Sequence, residues 1–125
     1  MMKEKANFYR CELCGNIVGL IKDGGGELVC CGKPMVKLVP NTVDAAQEKH
    51  VPVYEKDGNK VKVQVGSVEH PMTEEHYIEW IAVETPKLMQ RHVLEPGEAP
   101  KAEFVVDSDE IEVFAYCNLH GLWKS

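Results

Sequence analysis

Two pairs of cysteines within the first 31 residues limit what this 125-residue chain can fold into. Cys11 and Cys14 form a C-x2-C turn, Cys30 and Cys31 are adjacent, and each pair is followed by a glycine. We expect the four thiolates to meet at one distorted tetrahedral metal site. Two disulfides are the alternative, but a segment this short has too small a core and is more typically held together by a metal. Sulfur ligands alone do not separate zinc from iron.

The stretch between the two cysteine pairs, "NIVGLIKDGGGELV", predicts a β-hairpin. Its two ends are apolar, and the glycines in its centre accept the positive φ values that tight turns require. Such a hairpin would bring both cysteine pairs to one point.

The rest of the chain reads as short antiparallel strands punctuated by proline and glycine. "VPVYEKDGNKVKVQVGSV" predicts a hairpin that turns at "DGN", and "AEFVVDSDEIEVFAYC" predicts two further strands. "HYIEWIAVET" alternates, which predicts Ile78, Trp80 and Ala82 on one face and Tyr77, Glu79, Ile81 and Val83 on the other. The pattern therefore predicts an all-β fold, either a sandwich or a barrel.

Charge and hydropathy exclude several classes of partner. The net charge of −6 argues against binding to nucleic acid. No apolar run approaches the roughly 18 residues that cross a bilayer, and the N-terminus lacks the apolar region of a signal peptide. We therefore expect a cytoplasmic protein without a membrane partner. In a reducing compartment, clustered cysteines are more often metal ligands or catalytic thiols than disulfides.

A fifth cysteine, Cys117, precedes His120 at the spacing of metal ligands. Three further histidines lie near predicted strands: His50, His70 and His76. Each alone would be a surface residue, but together with a thiolate they suit iron, copper, zinc or nickel. A blue-copper site is disfavoured because four histidines are too many and no methionine follows the last of them. His92 lies in a charged, loop-like stretch and is expected at the surface.

Four motifs resemble the desulfoferrodoxins, the two-iron superoxide reductases: "CELCGN…LVCCGKPM", "EKHVPV", "VGSVEHPMTEEHYIEWI" and "YCNLHGLWK". The resemblance covers essentially the whole chain. It implies a desulforedoxin-like, rubredoxin-like iron knuckle in residues 1–37 and an immunoglobulin-like antiparallel β-sandwich, the catalytic domain, in residues 38–125.

The resemblance also implies two sets of ligands for two non-haem iron ions. The first iron would be held by four thiolates: Cys11, Cys14, Cys30 and Cys31. The catalytic iron would have an axial thiolate and a square plane of imidazoles: Cys117, His50, His70, His76 and His120. Its sixth position would be open in the ferrous state, with Lys49 beside it, and Glu48 would bind there after oxidation.

The implied activity is superoxide reductase, an oxidoreductase that reduces superoxide to hydrogen peroxide in oxygen detoxification. The implied context is a homodimer with a rubredoxin-like electron donor in an anaerobic or microaerophilic host, and it allows for a calcium ion at the dimer interface. The four-cysteine iron would either take part in electron transport or be structural. Two rivals are a zinc-knuckle interaction module with scattered histidines and an electron carrier with an inert six-coordinate iron.

Overall fold

The computed structural model describes residues 7–125, and within them the chain divides after Val39 into two compact units. We call residues 7–39 the N-terminal unit and residues 40–125 the C-terminal unit. Strands make up nearly all of the regular structure, so the predicted all-β class is confirmed. Among the described residues, no helix is long and apolar enough to cross a membrane.

The N-terminal unit consists of five short strands: β1 (Asn7–Arg10), β2 (Ile17–Leu20), β3 (Val29–Cys30), β4 (Lys33–Pro34) and β5 (Val36–Lys37). They form a three-stranded antiparallel sheet in the order β2-β1-β5 and a separate two-stranded ladder, β3-β4.

The predicted hairpin between the two cysteine pairs is wrong. Strand β2 pairs with β1, which precedes the first cysteine pair, and β3 pairs with β4 across the second. The C-x2-C turn itself closes the β1–β2 hairpin, because the Cys11 N–H donates to the Asn16 carbonyl (2.8 Å) and the Gly15 N–H donates to the Cys11 carbonyl (2.9 Å). Closing this shorter loop costs less chain entropy than closing the glycine-rich one.

The C-terminal unit contains one short helix and seven strands: α1 (Gln47–His50), β6 (Pro52–Asp57), β7 (Lys60–Val65), β8 (Ile78–Glu84), β9 (Met89–Val93), β10 (Lys101–Val105), β11 (Glu112–Cys117) and β12 (Gly121–Lys124). The predicted "DGN" hairpin is confirmed: Asp57 pairs with Lys60, and Gly58 takes the positive φ of +62° that the turn needs.

Two antiparallel sheets enclose the core of this unit, one in the order β10-β7-β6 and the other in the order β12-β11-β8-β9. Inward-facing residues of both sheets form one buried cluster, which includes Val61, Val63, Phe104, Ile81, Val83, Val113 and Cys117. Three strands packed against four around a common core form an immunoglobulin-like sandwich, as the resemblance implied.

The predicted alternation along β8 is wrong at the start of the strand, at Ile78 and Glu79. Ile78 does not share a face with Trp80 and Ala82 but joins Ile81 and Val83 in the buried core cluster. A strand alternates strictly only while its register is regular, so an irregularity must lie between Ile78 and Trp80.

That irregularity is a shift in the pairing of β8 with β11. Tyr116 lies opposite Trp80, whereas the next residue, Cys117, lies opposite Ile78, so Glu79 is an extra residue on β8. A bulge of this kind re-aims the side chains beside it. Here the end of β11 brings the Cys117 thiol, which is fully buried, to the inner side of the sheet.

Candidate metal centres

The four cysteines of the N-terminal unit form one cluster, in which one Sγ atom from each lies within 4.8 Å of all the others. The Sγ atoms of Cys14 and Cys30 are 3.6 Å apart, and those of Cys30 and Cys31 are 3.9 Å apart. A disulfide requires about 2.05 Å, and all five cysteines, which lie within the described residues, are free thiols. This arrangement favours the metal site over two disulfides.

Backbone geometry explains how adjacent cysteines face one point. Cys31 and Gly32 both have left-handed φ values, +54° and +76°, at the turn between β3 and β4. In the other turn the Cys14 N–H lies 3.5 Å from Cys11 Sγ and donates to it. Amide N–H groups aimed at sulfur are the outer contacts that stabilise metal-bound thiolates.

The protonation of this cluster favours a cation. The N–H groups of Cys14 and Leu13 lower the pKa of the Cys11 thiol to about 6. Hydrogen bonds, first of all with Cys14, raise the pKa of Cys31 to about 12, and the pKa of Cys30 is also raised. The Cys11 thiolate therefore forms readily, and its negative charge opposes the deprotonation of the next thiol. A metal must displace the remaining protons before it can bind all four sulfurs. A closed set of four sulfurs fits iron or zinc.

Five side chains of the C-terminal unit meet at a second cluster. His50 ends α1, two histidines lie in the loop between β7 and β8, Cys117 ends β11, and His120 lies in the loop that follows. The four imidazoles form a closed ring, which we call the histidine square: the centroid distances are 4.6 Å (His50–His70), 4.6 Å (His70–His76), 5.0 Å (His76–His120) and 4.8 Å (His120–His50).

Neighbouring rings of the square are nearly perpendicular, with interplanar angles between 77° and 86°. The diagonal from His50 to His76 is 6.1 Å, longer than any side. The thiol lies beside the square: Cys117 Sγ is 3.8 Å from His120 Nδ1. The structure thus brings together all five side chains that the resemblance implied as ligands of the second iron.

The ring nitrogens that face the centre of the square are electron-pair donors. His50 Nδ1 lies 2.7 Å from the Ala46 carbonyl and His70 Nδ1 lies 2.7 Å from the Pro71 carbonyl, so both Nδ1 atoms must carry the hydrogen. Their Nε2 atoms, which face each other at 3.2 Å, then have lone pairs and no hydrogen between them. Two lone pairs at that distance repel unless a cation lies against both.

Two further observations show that these residues fit a metal. His76 Nε2 is buried and has no hydrogen-bond partner among residues 7–125. His120 Nδ1 lies 3.0 Å from His50 Nε2, so it points into the same centre. A thiol with four imidazoles is a donor set for iron, copper, zinc or nickel, and a bound cation would satisfy every one of these atoms.

Burial keeps three of the imidazoles, those of His50, His70 and His76, neutral and therefore able to bind a metal. It lowers the pKa of His70 to about 4 and lowers the pKa values of His50 and His76 in the same direction. Burial raises the pKa of the Cys117 thiol, against the N–H groups of Leu119 and His120, which lower it. A buried thiolate here thus needs a neighbouring positive charge.

Glu48 and Lys49 lie exposed on α1, directly before the buried His50. The Lys49 charge is among the causes that lower the pKa values of His50 and His76, and the Glu48 charge acts in the opposite direction on His50. Both side chains are therefore within electrostatic reach of the histidine square. His76 and His120 are half-buried, which leaves that side of the square accessible to a small solute.

Two residues, Gly66 and Trp123, support the histidine square without being metal ligands, and we did not predict them from the sequence. A Cβ at Gly66 would clash first with the Val68 carbonyl, and it would also lie 2.7 Å from the Lys49 carbonyl and 2.8 Å from the Glu48 carbonyl. Only glycine therefore lets Val68 and α1 approach this closely. The Trp123 indole N–H donates to the His120 carbonyl at 3.1 Å, and its ring lies 4.9 Å from that of His50. Trp123 lies within the "YCNLHGLWK" motif, but Gly66 has no local signal.

His92 is exposed, as expected, but it lies in strand β9 and not in a loop. It pairs with Ile81 of β8, so its backbone belongs to the sandwich while its side chain faces solvent.

Two family models match nearly all of the chain: "Desulfoferrodoxin" over residues 42–125 and "Desulfoferrodoxin, N-terminal domain" over residues 3–38. The chain belongs to the desulfoferrodoxin family. This desulfoferrodoxin is 55% identical over 124 residues to a desulfoferrodoxin homolog of Archaeoglobus fulgidus, covering 99% of each chain. It is 36% identical to a superoxide reductase of Pyrococcus abyssi over 110 residues, covering 73% of this chain and 96% of that one.

Among solved structures, the desulfoferrodoxin is similar to the superoxide reductase from Treponema pallidum. The TM-score is 0.79 at 39% identity, and the match covers 98% of this chain and 99% of that one. Family membership and the two donor sets agree with two iron centres, one of four sulfurs and one of four imidazoles and a sulfur.

Proposed function

We propose that this desulfoferrodoxin is a superoxide reductase whose catalytic centre is the histidine square with Cys117. The observation that carries the proposal is the set of inward-facing lone pairs: His50 and His70 Nε2 at 3.2 Å, and a buried His76 Nε2 without a partner. The relatives named superoxide reductase support superoxide as the substrate. The reaction takes one electron and two protons and converts superoxide to hydrogen peroxide.

An iron ion held by these five side chains would supply the electron that superoxide takes up. The square keeps neutral imidazoles around the ion because burial opposes the protonation of His50, His70 and His76. Cys117 would supply the one negative charge. The N–H groups of Leu119 and His120 hold that charge on sulfur, which limits how strongly the thiolate donates electron density.

Lys49 would attract the superoxide anion to the half-exposed side of the square. The protein's net charge of −6 opposes the approach of an anion, but such fields are screened beyond about 8 Å at physiological ionic strength. Close to the site the ammonium group of Lys49 dominates. It would also orient the water that delivers protons to the reduced substrate.

Glu48 would close the site after turnover. Its carboxylate is on α1, two residues before His50, and its charge acts on that imidazole. We propose that it binds at the open side of the square once the centre is oxidised, which would exclude the product and further anions.

The four-cysteine cluster would hold the second iron, with residues 1–37 as its domain and residues 38–125 as the catalytic domain. Each turnover consumes one electron, so an external reductant must return it, and we propose a rubredoxin-like donor in an anaerobic or microaerophilic cell. The four-cysteine iron would either relay that electron or be structural. The free thiols support a reducing, cytoplasmic location.

We also propose a homodimer. Several large apolar side chains of the N-terminal unit are exposed, among them Leu13, Ile21 and Val29. A homodimer that covers these side chains would remove their apolar surface from water. The calcium ion at the dimer interface stays a prediction.

The test is to expose the reduced, iron-loaded protein to a measured quantity of superoxide and to determine the peroxide formed and the oxygen released. A reductase yields one peroxide for each superoxide and no oxygen, whereas a dismutase yields one peroxide for every two and releases oxygen. An inert electron carrier would leave superoxide to its spontaneous dismutation. A zinc module would be colourless and equally inactive.

A further inference from the structure

Asn118 lies between two of the residues that meet at the histidine square, Cys117 and His120, but it does not face the centre. The last residue pair of the β11–β8 ladder is Cys117 with Ile78. Asn118 continues this ladder for one more step, because its N–H donates to the Tyr77 carbonyl at 3.2 Å.

The side chain of Asn118 extends the connection with both ends of its amide. Its Oδ1 accepts from the Tyr77 N–H at 3.0 Å, in place of a main-chain carbonyl. Its Nδ2 donates to the Glu75 carbonyl, also at 3.0 Å. Glu75 and Tyr77 flank His76, so the half-buried side chain of Asn118 is hydrogen-bonded to the main chain on both sides of that histidine.

His76 differs from His50 and His70 in what fixes it. The rings of the other two are each held by a main-chain carbonyl at Nδ1. The hydrogen bonds of His76 involve its main chain, whose N–H and carbonyl both bond to Thr73, and its Nε2 is buried without a partner among the described residues. The position of this ring therefore depends on the position of its loop.

We propose that Asn118 is a positioning residue that fixes His76 in register with Cys117 and His120. It joins the β7–β8 loop, which carries His76, to the end of β11 and the loop that follows, which carry Cys117 and His120. The inference rests on the metal centre proposed above but not on its reaction with superoxide. Outer contacts that orient a metal ligand typically change metal affinity by about 10- to 100-fold.

The test is competition for ferrous iron between the full-length protein and a coloured ferrous chelator. Asn118→Ala should weaken the affinity of the histidine square by about 10- to 100-fold and leave the four-cysteine centre, an internal reference in the same chain, unchanged. If Asn118→Ala does not fold, Asn118→Asp serves instead. It keeps the acceptor for Tyr77 but sets a carboxylate oxygen against the Glu75 carbonyl, so the link to Glu75 is lost and weaker binding of iron at the square is again expected.

Asn41 provides a matched control. Its side chain also grips main chain with both ends: Nδ2 donates to the Lys124 carbonyl (2.9 Å), and Oδ1 accepts from the Lys124 N–H (2.8 Å). Asn41→Ala removes the same two types of hydrogen bond, and because its φ is +62° it costs at least as much stability. Iron affinity should nevertheless stay at the wild-type value.

A double-mutant cycle separates positioning from general destabilisation. In the His76→Ala background, Asn118→Ala should have no further effect on iron affinity, because the ring that it positions is gone. Additive losses, or a loss in Asn41→Ala equal to that in Asn118→Ala, would overturn the inference. Failure of the wild-type protein to take up iron at the square would instead overturn the proposed function.

Discussion

The Nε2 atoms of His50 and His70 lie 3.2 Å apart with no hydrogen to share. Each ring donates its single N–H to a main-chain carbonyl, that of Ala46 or that of Pro71, and those bonds fix the direction of both lone pairs. The fold therefore holds a repulsive pair of atoms in contact. A cation between the two atoms would relieve this repulsion, so we expect metal binding to stabilise the folded state.

Metal removal should destabilise the protein, because binding to the native state alone stabilises it. A free metal concentration of about 100 times Kd contributes about 2.7 kcal/mol, which corresponds to roughly 10 °C in the midpoint of thermal unfolding. Calorimetry before and after chelation measures the difference. An unchanged unfolding midpoint would mean that the square is a stable metal-free structure.

The metal-free protein should also lose stability as the pH falls. The pKa of His70 is lowered in the fold from 6.5 to about 4, so the unfolded chain binds this proton more readily. The native state is therefore favoured above about pH 6.5, and this contribution is lost progressively as the pH falls towards 4. Urea unfolding of the chelated protein across this range measures it, and His70→Ala should flatten the dependence.

Lys49→Ala should slow the second-order reaction with superoxide and weaken its dependence on salt, because a positive charge that acts on His50 and His76 is lost. Rapid mixing or pulse radiolysis at several ionic strengths measures both. Lys60→Ala is the control, since it makes the same change in net charge at an exposed position on β7. Equal effects of the two substitutions would show that only net charge matters.

Glu48→Ala should leave the reduction of superoxide fast and change the absorption spectrum of the oxidised protein. The carboxylate has no role in the reduced state but would bind the oxidised centre. Oxidising the protein and recording its visible spectrum tests this, with Glu69→Ala, another exposed carboxylate, as the control. A spectrum identical to that of the wild type would exclude Glu48 as a ligand.

Gly66→Ala should destabilise the protein and slow its reaction with superoxide. Both Gly66 (φ +84°) and Gly97 (φ +91°) are left-handed, where an alanine costs about 1–2 kcal/mol. Only at Gly66 would the added Cβ also press on the carbonyls of Glu48 and Lys49, whereas nothing lies within 4 Å of one at Gly97. Gly97→Ala should therefore lose stability alone. Equal superoxide rates in the two variants would refute the role of Gly66.

The four-cysteine centre was readable from sequence because its ligands lie in two short motifs. The ligands of the histidine square span residues 50–120, and the family resemblance supplied that set. Cysteine and histidine motifs also carried the family resemblance, and with it the sandwich. Strand pairing in the N-terminal unit was not readable, since "NIVGLI" is equally suited to pair with either neighbour and the turn at Cys11–Cys14 decides. The extra residue at Glu79 depends on the register of two distant strands, which a strictly alternating pattern does not reveal.

Supporting residues were missed for a related reason. Asn118 and Gly66 contact main-chain atoms of segments far away along the chain. Every residue type has these main-chain atoms, so the sequence does not indicate such contacts. The Trp123 contact with the His120 carbonyl is local. A tryptophan in an apolar strand, however, is ordinarily interpreted as a residue of the hydrophobic core.

The most direct test is a crystal structure of the purified protein with anomalous scattering measured on both sides of the iron absorption edge. We expect an iron peak at the centre of the histidine square. The iron should be bonded to Nε2 of three rings, to His120 Nδ1 and to Cys117 Sγ. One position should be free of protein ligands in the reduced state. A second iron should lie among the four sulfurs of the N-terminal unit. An empty square, zinc in its place, or a Cys117 Sγ that points away from the four imidazoles would contradict this structure of the site.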